Sequence, residues 1–450
     1  MTPRANGSAS FRIPVSVVVG ALWLGIASSA AAQATPPTGH LSIFFDRLPT
    51  REATELRARA FVEEKAEAGK HVRVTASGFV EGLVADRGGR VTDAIAEPQD
   101  LSIDVRTRRV DLTLGFTRVV WGRLDELQPT DVVNPLDLSR FFFEGRSEAR
   151  LAVPLTRVRV YAGEHASLEA LYVPAFRRGR FDRLDEPSSP FNLVPRDLAP
   201  TVPLTAPLAA AAGAPLGPVA GADHSPVIVE DPPARTLGNA QGGARLNATS
   251  GRIDWSVSAF RGFRPFGLFT LPVGGGAPAP VVPVHRYPRF TMVGADMESV
   301  AGEWGVRAEL AAFVEDALQV PDAFAARDGR SFDAGAGLDR KAGDYRISAS
   351  LLVHHERAAD LAGAPAFART DTSLIVAADR MFARERYQGR LFAVYTPSSE
   401  ASFVRGILTA KLRDNVAAEG SIGWFAGRGA DTIGRFADRD FGYLRVKYYF

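Results

Sequence analysis

The sequence contains no cysteine among its 450 residues. Disulfide bonds, cysteine-ligated metal sites and thiol nucleophiles are therefore excluded. Long apolar runs are also scarce, because a single segment near the N-terminus approaches the ~20 residues that a membrane-spanning helix needs. The hydrophobic fraction is an ordinary 46%. Together these features argue against a helical membrane protein with several spans.

The chain also lacks an excess of positive or negative charge. The chain has 53 basic and 51 acidic side chains, which give a formal net charge of +2. A protein that binds nucleic acid through its bulk charge carries a clear basic excess, so we expect no nucleic-acid partner.

Enzyme motifs are absent too, since neither G-x-S-x-G nor H-E-x-x-H occurs and histidine is limited to seven residues. In the one histidine cluster, His354 and His355 are adjacent, so on a strand they would point to opposite faces. We therefore predict no enzyme and no cofactor, with an outer-membrane hydrolase as the least favoured alternative.

The N-terminus has the order of a secretory signal. Arg4 and Arg12 precede an apolar segment, residues 13–27, and small residues that include Ala32 and Ala34 follow it. A basic start, an apolar run and an A-x-A site predict an export signal over residues 1–34. Cleavage after Ala32 and cleavage after Ala34 fit equally well. A membrane anchor is the alternative, but the run is short and lacks a positively charged flank behind it.

From about residue 55 onward, the hydrophobic pattern has a period of two. Leu56, Ala58 and Ala60 share one face of the first such segment, whereas Arg57 and Arg59 share the other. Successive side chains of a strand point to opposite faces, so the segment is apolar on one side and charged on the other. A soluble sandwich also alternates. However, these segments run for ~10–12 residues, the length that crosses a bilayer, whereas soluble strands average ~5–6.

The C-terminal segment completes this pattern. Leu444, Val446, Tyr448 and Phe450 lie on one face, and the chain ends on the aromatic residue. Such an end is similar to the terminal strand that the outer-membrane barrel assembly machinery recognises, which implies that machinery as a partner. With the export signal, the repeated alternation predicts an all-β fold, a transmembrane antiparallel β-barrel over residues 35–450. We expect it in the outer membrane of a Gram-negative bacterium, in contact with lipid and lipopolysaccharide.

Connector lengths predict the topology. Seventeen candidate strands and a short first one at Leu41–Phe45 give 18 strands, and 16 would follow if the first pair is misread. Tight connectors are expected as periplasmic turns and long ones as external loops. The predicted long connectors are 85–99, 121–149, 175–239, 264–288, 315–330, 356–369 and 428–439.

A resemblance emerges around the connector at 121–149. Three sequence features carry it: a strand that ends in Trp-Gly, a loop of the form DVxNPxD, and a Leu-Glu-x-x-Tyr strand from Leu168 to Tyr172. The residues in the first two are Trp121, Gly122, Asp131, Asn134, Pro135 and Asp137. The chain resembles a family of uncharacterised proteobacterial outer-membrane proteins, which implies a porin-like barrel. The resemblance implies little about cargo beyond a leaning toward hydrophobic or lipid-like compounds.

The same connector can be interpreted from its residues alone. Asn134-Pro135 favours a turn, and Asp137 can cap the element that follows. Asp125, Asp131 and Asp137 could ligate calcium, but their spacing is not that of a calcium loop. We therefore predict no metal site, and we expect this loop to pack at the barrel rim and to fix the mouth.

If the apolar faces meet lipid, the opposite faces line the lumen. The predicted basic lining residues are Arg57, Arg59, Lys65, Arg73, Arg252, Arg307, Arg346, Arg390, Arg405, Lys411, Arg413, Arg445 and Lys447. The acidic ones are Glu63, Glu81, Asp111, Glu169, Asp254, Glu309 and Asp379. A barrel of this size encloses an aqueous channel, and an excess of arginine and lysine favours anions. The alternative is that these bases pair with lumenal carboxylates or with lipopolysaccharide phosphates.

The predicted function is an outer-membrane pore or transporter for passive passage of small solutes, either anionic or hydrophobic. The lumen would be narrowed by loops 121–149 and 175–239. For a hydrophobic cargo we expect an apolar lining from Phe141, Phe142, Phe143, Phe263, Phe266 and Phe269. A plugged structural or adhesive barrel is the alternative. A folded barrel that shows no conductance would indicate a periplasmic partner.

Overall fold

The computed structural model describes residues 33–138, 143–180, 229–270, 284–320, 325–358, 366–428 and 433–450. The predicted export signal, except its last two residues, lies outside the described residues, as do residues 181–228 of the predicted loop 175–239. Within the described ranges, no helix is long and apolar enough to cross a membrane.

The described chain is built almost entirely of strands. In chain order the strands are β1 (Gln33–Ala34), β2 (Thr38–Leu48), β3 (Ala53–Ala68), β4 (Val72–Asp86), β5 (Arg90–Arg106), β6 (Val110–Thr117), β7 (Val153–Ala162), β8 (Ala166–Val173), β9 (Val229–Asp231), β10 (Gln241–Ser250), β11 (Ile253–Phe263), β12 (Leu268–Thr270), β13 (Val284–Arg286), β14 (Arg289–Ala301), β15 (Trp304–Gln319), β16 (Ala326–Ala342), β17 (Tyr345–Ala358), β18 (Phe367–Phe382), β19 (Tyr387–Thr396), β20 (Ala401–Arg413), β21 (Val416–Ala426) and β22 (Phe441–Tyr449). The helical segments are α1 (Arg146–Ala149) and 3₁₀ turns at Pro49–Arg51, Leu237–Asn239, Pro397–Ser399 and Gly434–Phe436.

Eighteen of the described strands close into one antiparallel barrel. They are β2 to β8, β10, β11 and β14 to β22, each paired with its neighbours in this order. Closure occurs where β22 pairs with β2, from Tyr449 opposite His40 to Gly442 opposite Arg47. A closed barrel satisfies its backbone hydrogen bonds internally, which is the condition for a sheet to cross a bilayer. The predicted transmembrane antiparallel β-barrel is confirmed, and the strand count is 18 rather than 16.

The two faces of the barrel are divided as the alternation predicts. Leu56 on β3 is 47% exposed on the outer surface, whereas its neighbour Arg57 is 9% exposed and faces inward. On β22, Leu444, Val446 and Tyr448 all face outward. The outward residues form the apolar band that meets the hydrocarbon of a membrane.

Connections at one end of the barrel are short, as predicted for periplasmic turns. They comprise residues 69–71, 107–109, 163–165, 251–252, 302–303, 343–344, 383–386 and 414–415. The opposite, external end carries the long connections at 118–152, 174–240, 264–288 and 427–440. Strands β9, β12 and β13 form a small separate sheet within these external connections, with β9 parallel to β13.

One predicted loop is wrong. Residues 85–99 were expected to be a long external connector, but β4 continues to Asp86 and β5 begins at Arg90. Pro98 lies inside β5 opposite Gly78, where the pairing register shifts by one residue. Because proline is tolerated at a bulge, it interrupts the ladder there without ending the strand. The loops predicted at 315–330 and 356–369 are also shorter, 320–325 and 359–366, because the flanking strands extend further.

Candidate functional site in the lumen

The connection between β6 and β7 folds deep into the barrel. We call residues 118–152 the lumen segment, of which 139–142 lie outside the described residues. Trp121 donates a 2.9 Å hydrogen bond from Nε1 to Glu169 on β8. On other walls, Glu126 pairs with Arg390 of β19. The segment therefore spans the lumen, which is further inside than the rim position expected from sequence.

Glu309 of β15 is the main anchor of this segment. Its carboxylate accepts hydrogen bonds from the backbone N–H groups of Arg123, Leu124 (2.6 Å) and Thr130 (3.2 Å), and from the Thr130 hydroxyl (3.0 Å). The side chain is 1% exposed. Gly122 has φ +99°, and a Cβ there would lie 2.8 Å from Glu309 Oε2. Only glycine fits this approach without strain.

The DVxNPxD residues stabilise the segment from within. The side-chain oxygen of Asn134 accepts the Val119 N–H at 2.7 Å, and its amide donates to the carbonyls of Thr117 (3.2 Å) and Leu151 (2.8 Å). The carbonyl of Pro135 accepts the Leu151 N–H at 2.8 Å. This part of the motif therefore joins the two ends of the lumen segment.

The three aspartates considered as calcium ligands instead face separate arginines. Asp125 pairs with Arg307 at 3.1 Å. Asp131 forms a buried pair with Arg150. Asp137 contacts Arg180 at 3.0 Å, which ties the segment to the chain after β8. Each carboxylate thus acts as a structural link in the described structure.

Two apolar clusters pack between the lumen segment and the wall. One surrounds Trp121 and includes Val119, Phe260 and Phe290. The other contains Phe143, which packs edge-on against Phe441 with ring centroids 4.9 Å apart.

The other phenylalanines predicted to line an apolar pocket are also engaged in packing. Phe263 lies beside Phe176, with ring centroids 5.7 Å apart, and Phe269 stacks on His285 at 4.4 Å. The ring of Phe266 occupies the space beside Gly179. Phe141 and Phe142 lie outside the described residues. These contacts assign the described phenylalanines to packing rather than to an open surface.

A cavity of about 280 Å³ remains beside the lumen segment, between β7, β8, β10 and β14. Its charged lining residues are Arg123, Arg157, Arg159, Glu169, Arg245 and Glu298. Arg123 and Arg245 share the buried Asp296, at 2.7 and 2.8 Å, and Arg159 pairs with Glu169.

Arg157 differs from the other arginines of the cavity. Its one hydrogen bond goes to the Thr113 hydroxyl at 3.3 Å. Within the described parts of the chain, no carboxylate lies in ion-pair range of its guanidinium. The cavity therefore holds a guanidinium that forms no ion pair with the described wall, and four arginines line it beside two carboxylates, Glu169 and Glu298.

The four arginines of this cavity are not among the lining residues predicted from the sequence. For three of them a signal was present, because Arg157, Arg159 and Arg245 alternate with apolar residues on β7 and β10. The fourth, Arg123, lies in the lumen segment, where no periodicity marks which side chains face the pore.

Most arginines that were predicted to line the lumen are paired. Arg57 contacts Glu55 at 2.7 Å, and Arg59 contacts both Glu81 and Glu144 at 2.7 Å. The other predicted bases in ion pairs, with their partners, are Lys65 with Glu63, Arg73 with Glu67, Arg307 with Asp125 and Asp339, Arg346 with Asp339, Arg390 with Glu126, and Arg445 with Glu419. This is the pairing that the sequence left open as the alternative to a freely basic lumen.

The remaining predicted lining residues lie in different settings. Arg405 donates to the Phe143 carbonyl at 2.8 Å and to the Tyr443 hydroxyl, so it holds the lumen segment. Arg252 lies in the two-residue turn between β10 and β11, and Lys411 is exposed near the periplasmic end of β20. Lys447 is opposite Ser42 of β2.

At the external end, the small sheet is held by a buried polar cluster. Glu230 of β9 contacts His285 Nδ1 at 3.1 Å and accepts the Tyr287 hydroxyl at 2.7 Å. Burial raises the pKa of Glu230, but the hydrogen bonds from His285 and Tyr287 and the nearby charge of Arg178 outweigh burial. The net effect is a pKa below the ordinary value of 4.5.

The predicted histidine pair is split between the two faces of β17. His354 contacts Asp333 at 2.5 Å on the inner face, and His355 lies 2.8 Å from the Thr370 hydroxyl on the other. The two imidazoles therefore do not share a ligand.

The sequence matches no protein-family model and no curated protein. The fold is similar to that of the outer-membrane protein OpdK from Pseudomonas aeruginosa, with a TM-score of 0.50, 10% identity, and coverage of 92% of this chain and 98% of that one. OccAB1 from Acinetobacter baumannii also matches, with a TM-score of 0.49, 7% identity, and coverage of 93% and 96%. At such identity the likeness concerns the fold alone. The fold and the apolar outer band define an outer-membrane β-barrel, and the chain lies in the outer membrane.

Proposed function

We propose that this barrel is an outer-membrane channel for passive passage of small solutes, with a preference for anions. The observation that carries the proposal is the arginine-lined cavity beside the lumen segment, in which Arg157 lacks a carboxylate partner among the described residues. A barrel of 18 strands encloses more cross-section than its own side chains fill. The lumen segment narrows that cross-section. The excess of arginines over carboxylates in the cavity lining favours anions over cations.

The mechanism is diffusion down the solute gradient, without catalysis and without a cofactor. A solute anion entering from outside would exchange part of its hydration for hydrogen bonds from guanidinium groups, which are planar donors suited to carboxylate and phosphate. Because the other cavity arginines are already paired with Asp296, Glu298 or Glu169, the attraction stays moderate. Moderate attraction permits release, which conduction requires.

The test is the reversal potential of the refolded mature barrel in a planar bilayer under a salt gradient. We expect a potential that indicates anion preference, and a shift toward zero or cation preference in Arg157→Gln. Arg73→Gln is the matched control, because Arg73 is already paired with Glu67 at the periplasmic end of the barrel. A wild-type potential of cation sign, or equal shifts in both variants, would contradict the proposal.

We also propose that the C-terminal strand is the recognition element for the barrel assembly machinery. Phe450 exchanges backbone hydrogen bonds with Gly39 at 3.0 and 3.1 Å, and its side chain is exposed on the outer face. Deletion of Phe450 should therefore lower the yield of assembled barrel in cells, while refolding of the purified chain in detergent changes less.

The resemblance to the proteobacterial family with the Trp-Gly and DVxNPxD motifs stays a prediction. What supports it is that Trp121, Asp131 and Asn134 all hold the lumen segment. We expect proteins in which the same segment narrows the lumen to share this motif.

A further inference from the structure

Two arginines lie side by side on the lipid-facing surface near the external end of the barrel. Arg330 of β16 is directly opposite Arg357 of β17, and both side chains are exposed. On one face of an antiparallel pair, directly opposed residues have Cβ atoms ~5 Å apart, and like charges there are destabilising. An anion bound between the two guanidinium groups would offset this repulsion.

The protein itself does not supply that anion among the residues that the structure describes. Neither guanidinium has a hydrogen-bond or ion-pair partner within the described ranges. Glu315, on the neighbouring strand β15, is engaged by Arg261 at 2.6 Å and by Thr291 at 2.9 Å. Asp328 lies on the same outer face of β16 but forms no ion pair with either arginine in the described structure.

The position of the pair fits the membrane boundary. Between Arg330 and Arg340, the outward residues of β16 are Phe332, Ala334, Ala336 and Leu338. Ten residues at ~3.4 Å each, tilted by ~40°, rise about 26 Å. This rise equals the apolar height of an outer-membrane barrel, which is about 25 Å. Arg330 thus lies at the external headgroup level, and Arg340 lies at the periplasmic level.

The arginines at the two membrane boundaries differ in the partners that they contact. At the periplasmic level, Arg340 pairs with Glu303 and stands over the Trp304 ring, 5.4 Å from its centroid. Arg380 stands over Tyr345 at 4.8 Å. At the external level, Arg330 and Arg357 have no such partners in the described chain. The described residues supply the pair with no anion at this level, whereas the outer leaflet beside it does.

We propose that Arg330 and Arg357 form a binding site for a phosphate group of an outer-leaflet lipid, the phosphorylated headgroup of lipopolysaccharide. A phosphate presents several strong acceptor oxygens and more than one negative charge, so it can bridge two guanidinium forks. The acyl chains of the same lipid would lie along the apolar band below Phe332. This site is independent of the proposed channel activity.

The test is titration of the refolded mature barrel in detergent with fluorescently labelled lipopolysaccharide. The variants are the double substitution Arg330→Gln with Arg357→Gln and, as the matched control, Arg340→Gln at the other boundary. Because both guanidinium groups lose their charge-assisted hydrogen bonds to the phosphate, the double variant should bind at least about tenfold more weakly. Arg340→Gln should bind like the wild type.

Two further binding measurements identify the source of the phosphate. Dephosphorylated lipopolysaccharide should bind the wild type as weakly as intact lipopolysaccharide binds the double variant. Excess inorganic phosphate should displace little lipopolysaccharide, because it lacks the acyl chains. Equal binding by wild type and double variant, undiminished binding of the dephosphorylated lipid, or full displacement by inorganic phosphate would each overturn the proposal. Both substitutions are on the exposed face and relieve repulsion, and circular dichroism verifies that the variants fold.

Discussion

The backbone N–H of Leu124 donates a 2.6 Å hydrogen bond to the carboxylate of Glu309, a residue 185 positions later in the chain. The same carboxylate binds the backbone at Arg123 and Thr130. One buried side chain of the wall thereby fixes both ends of the short turn that carries Arg123 into the cavity. We therefore expect this contact to determine how far the lumen segment narrows the channel.

We predict that Glu309→Gln loosens the lumen segment. A carboxamide keeps one acceptor oxygen but turns an NH₂ group toward backbone donors, so docking of the segment should weaken by about 1.5–3 kcal/mol. Single-channel recordings should then show frequent transitions to a higher conductance level than the wild type reaches.

The matched control for that variant is Glu67→Gln. Glu67 forms an exposed pair with Arg73, and exposed pairs contribute only about 0.2–1 kcal/mol. Its recordings should match the wild type. If Glu309→Gln also gives wild-type conductance and noise, Glu309 does not position the segment.

Asn134→Ala should destabilise the folded barrel by about 3 kcal/mol. The substitution removes three hydrogen bonds and leaves the N–H of Val119 and the carbonyl of Leu151 without these partners in a buried site. Urea unfolding of the refolded protein measures the loss. Asn415→Ala, in an exposed periplasmic turn, should change the free energy of unfolding by less than about 0.5 kcal/mol. Similar losses in both variants would contradict the role assigned to Asn134.

The external sheet should loosen in acid. The pKa of Glu230 is below its ordinary value of 4.5, so its ionised form stabilises the folded sheet. This stabilisation is fully present above pH 4.5 and is lost as the pH falls through the lower folded-state pKa. Hydrogen-exchange protection of β9 and β13, corrected for intrinsic exchange, should therefore fall in that window. In Glu230→Gln, protection should be weaker than in the wild type above pH 4.5 and should not change with pH in this window, and an unchanged pH dependence would refute the assignment.

Much of this fold could be predicted from the sequence, because a barrel wall obeys local rules. The alternation around Leu56 and Arg57 reports directly which side faces lipid, and tight turns such as 302–303 reveal the periplasmic end. Leu41–Phe45 was predicted as a strand because the descending strand near residue 55 needs an ascending one before it, and it does pair with β22. The loop predicted at 85–99 is instead strand that contains Pro98, and a proline inside a strand depends on a bulge that only the pairing reveals.

The lumen was less predictable, since it is made by contacts between residues far apart in sequence. Alternation predicts Arg59 and Arg390 as lining residues, but it could not show that they pair with Glu144 and Glu126 of the lumen segment. Arg157 is distinguished by the carboxylate partner that it lacks among the described residues, and no sequence pattern reports that property. The site thus depends on tertiary packing that a period of two does not encode.

We propose that the lumen segment narrows an open channel. The test is the single-channel conductance of the refolded mature barrel, beside that of a variant in which residues 123–130 are replaced by a short Gly-Ser linker. We expect a steady conductance for the wild type and a larger one for the variant. A correctly folded wild type that stays silent, while the variant conducts, would contradict it and would identify the lumen segment as a plug.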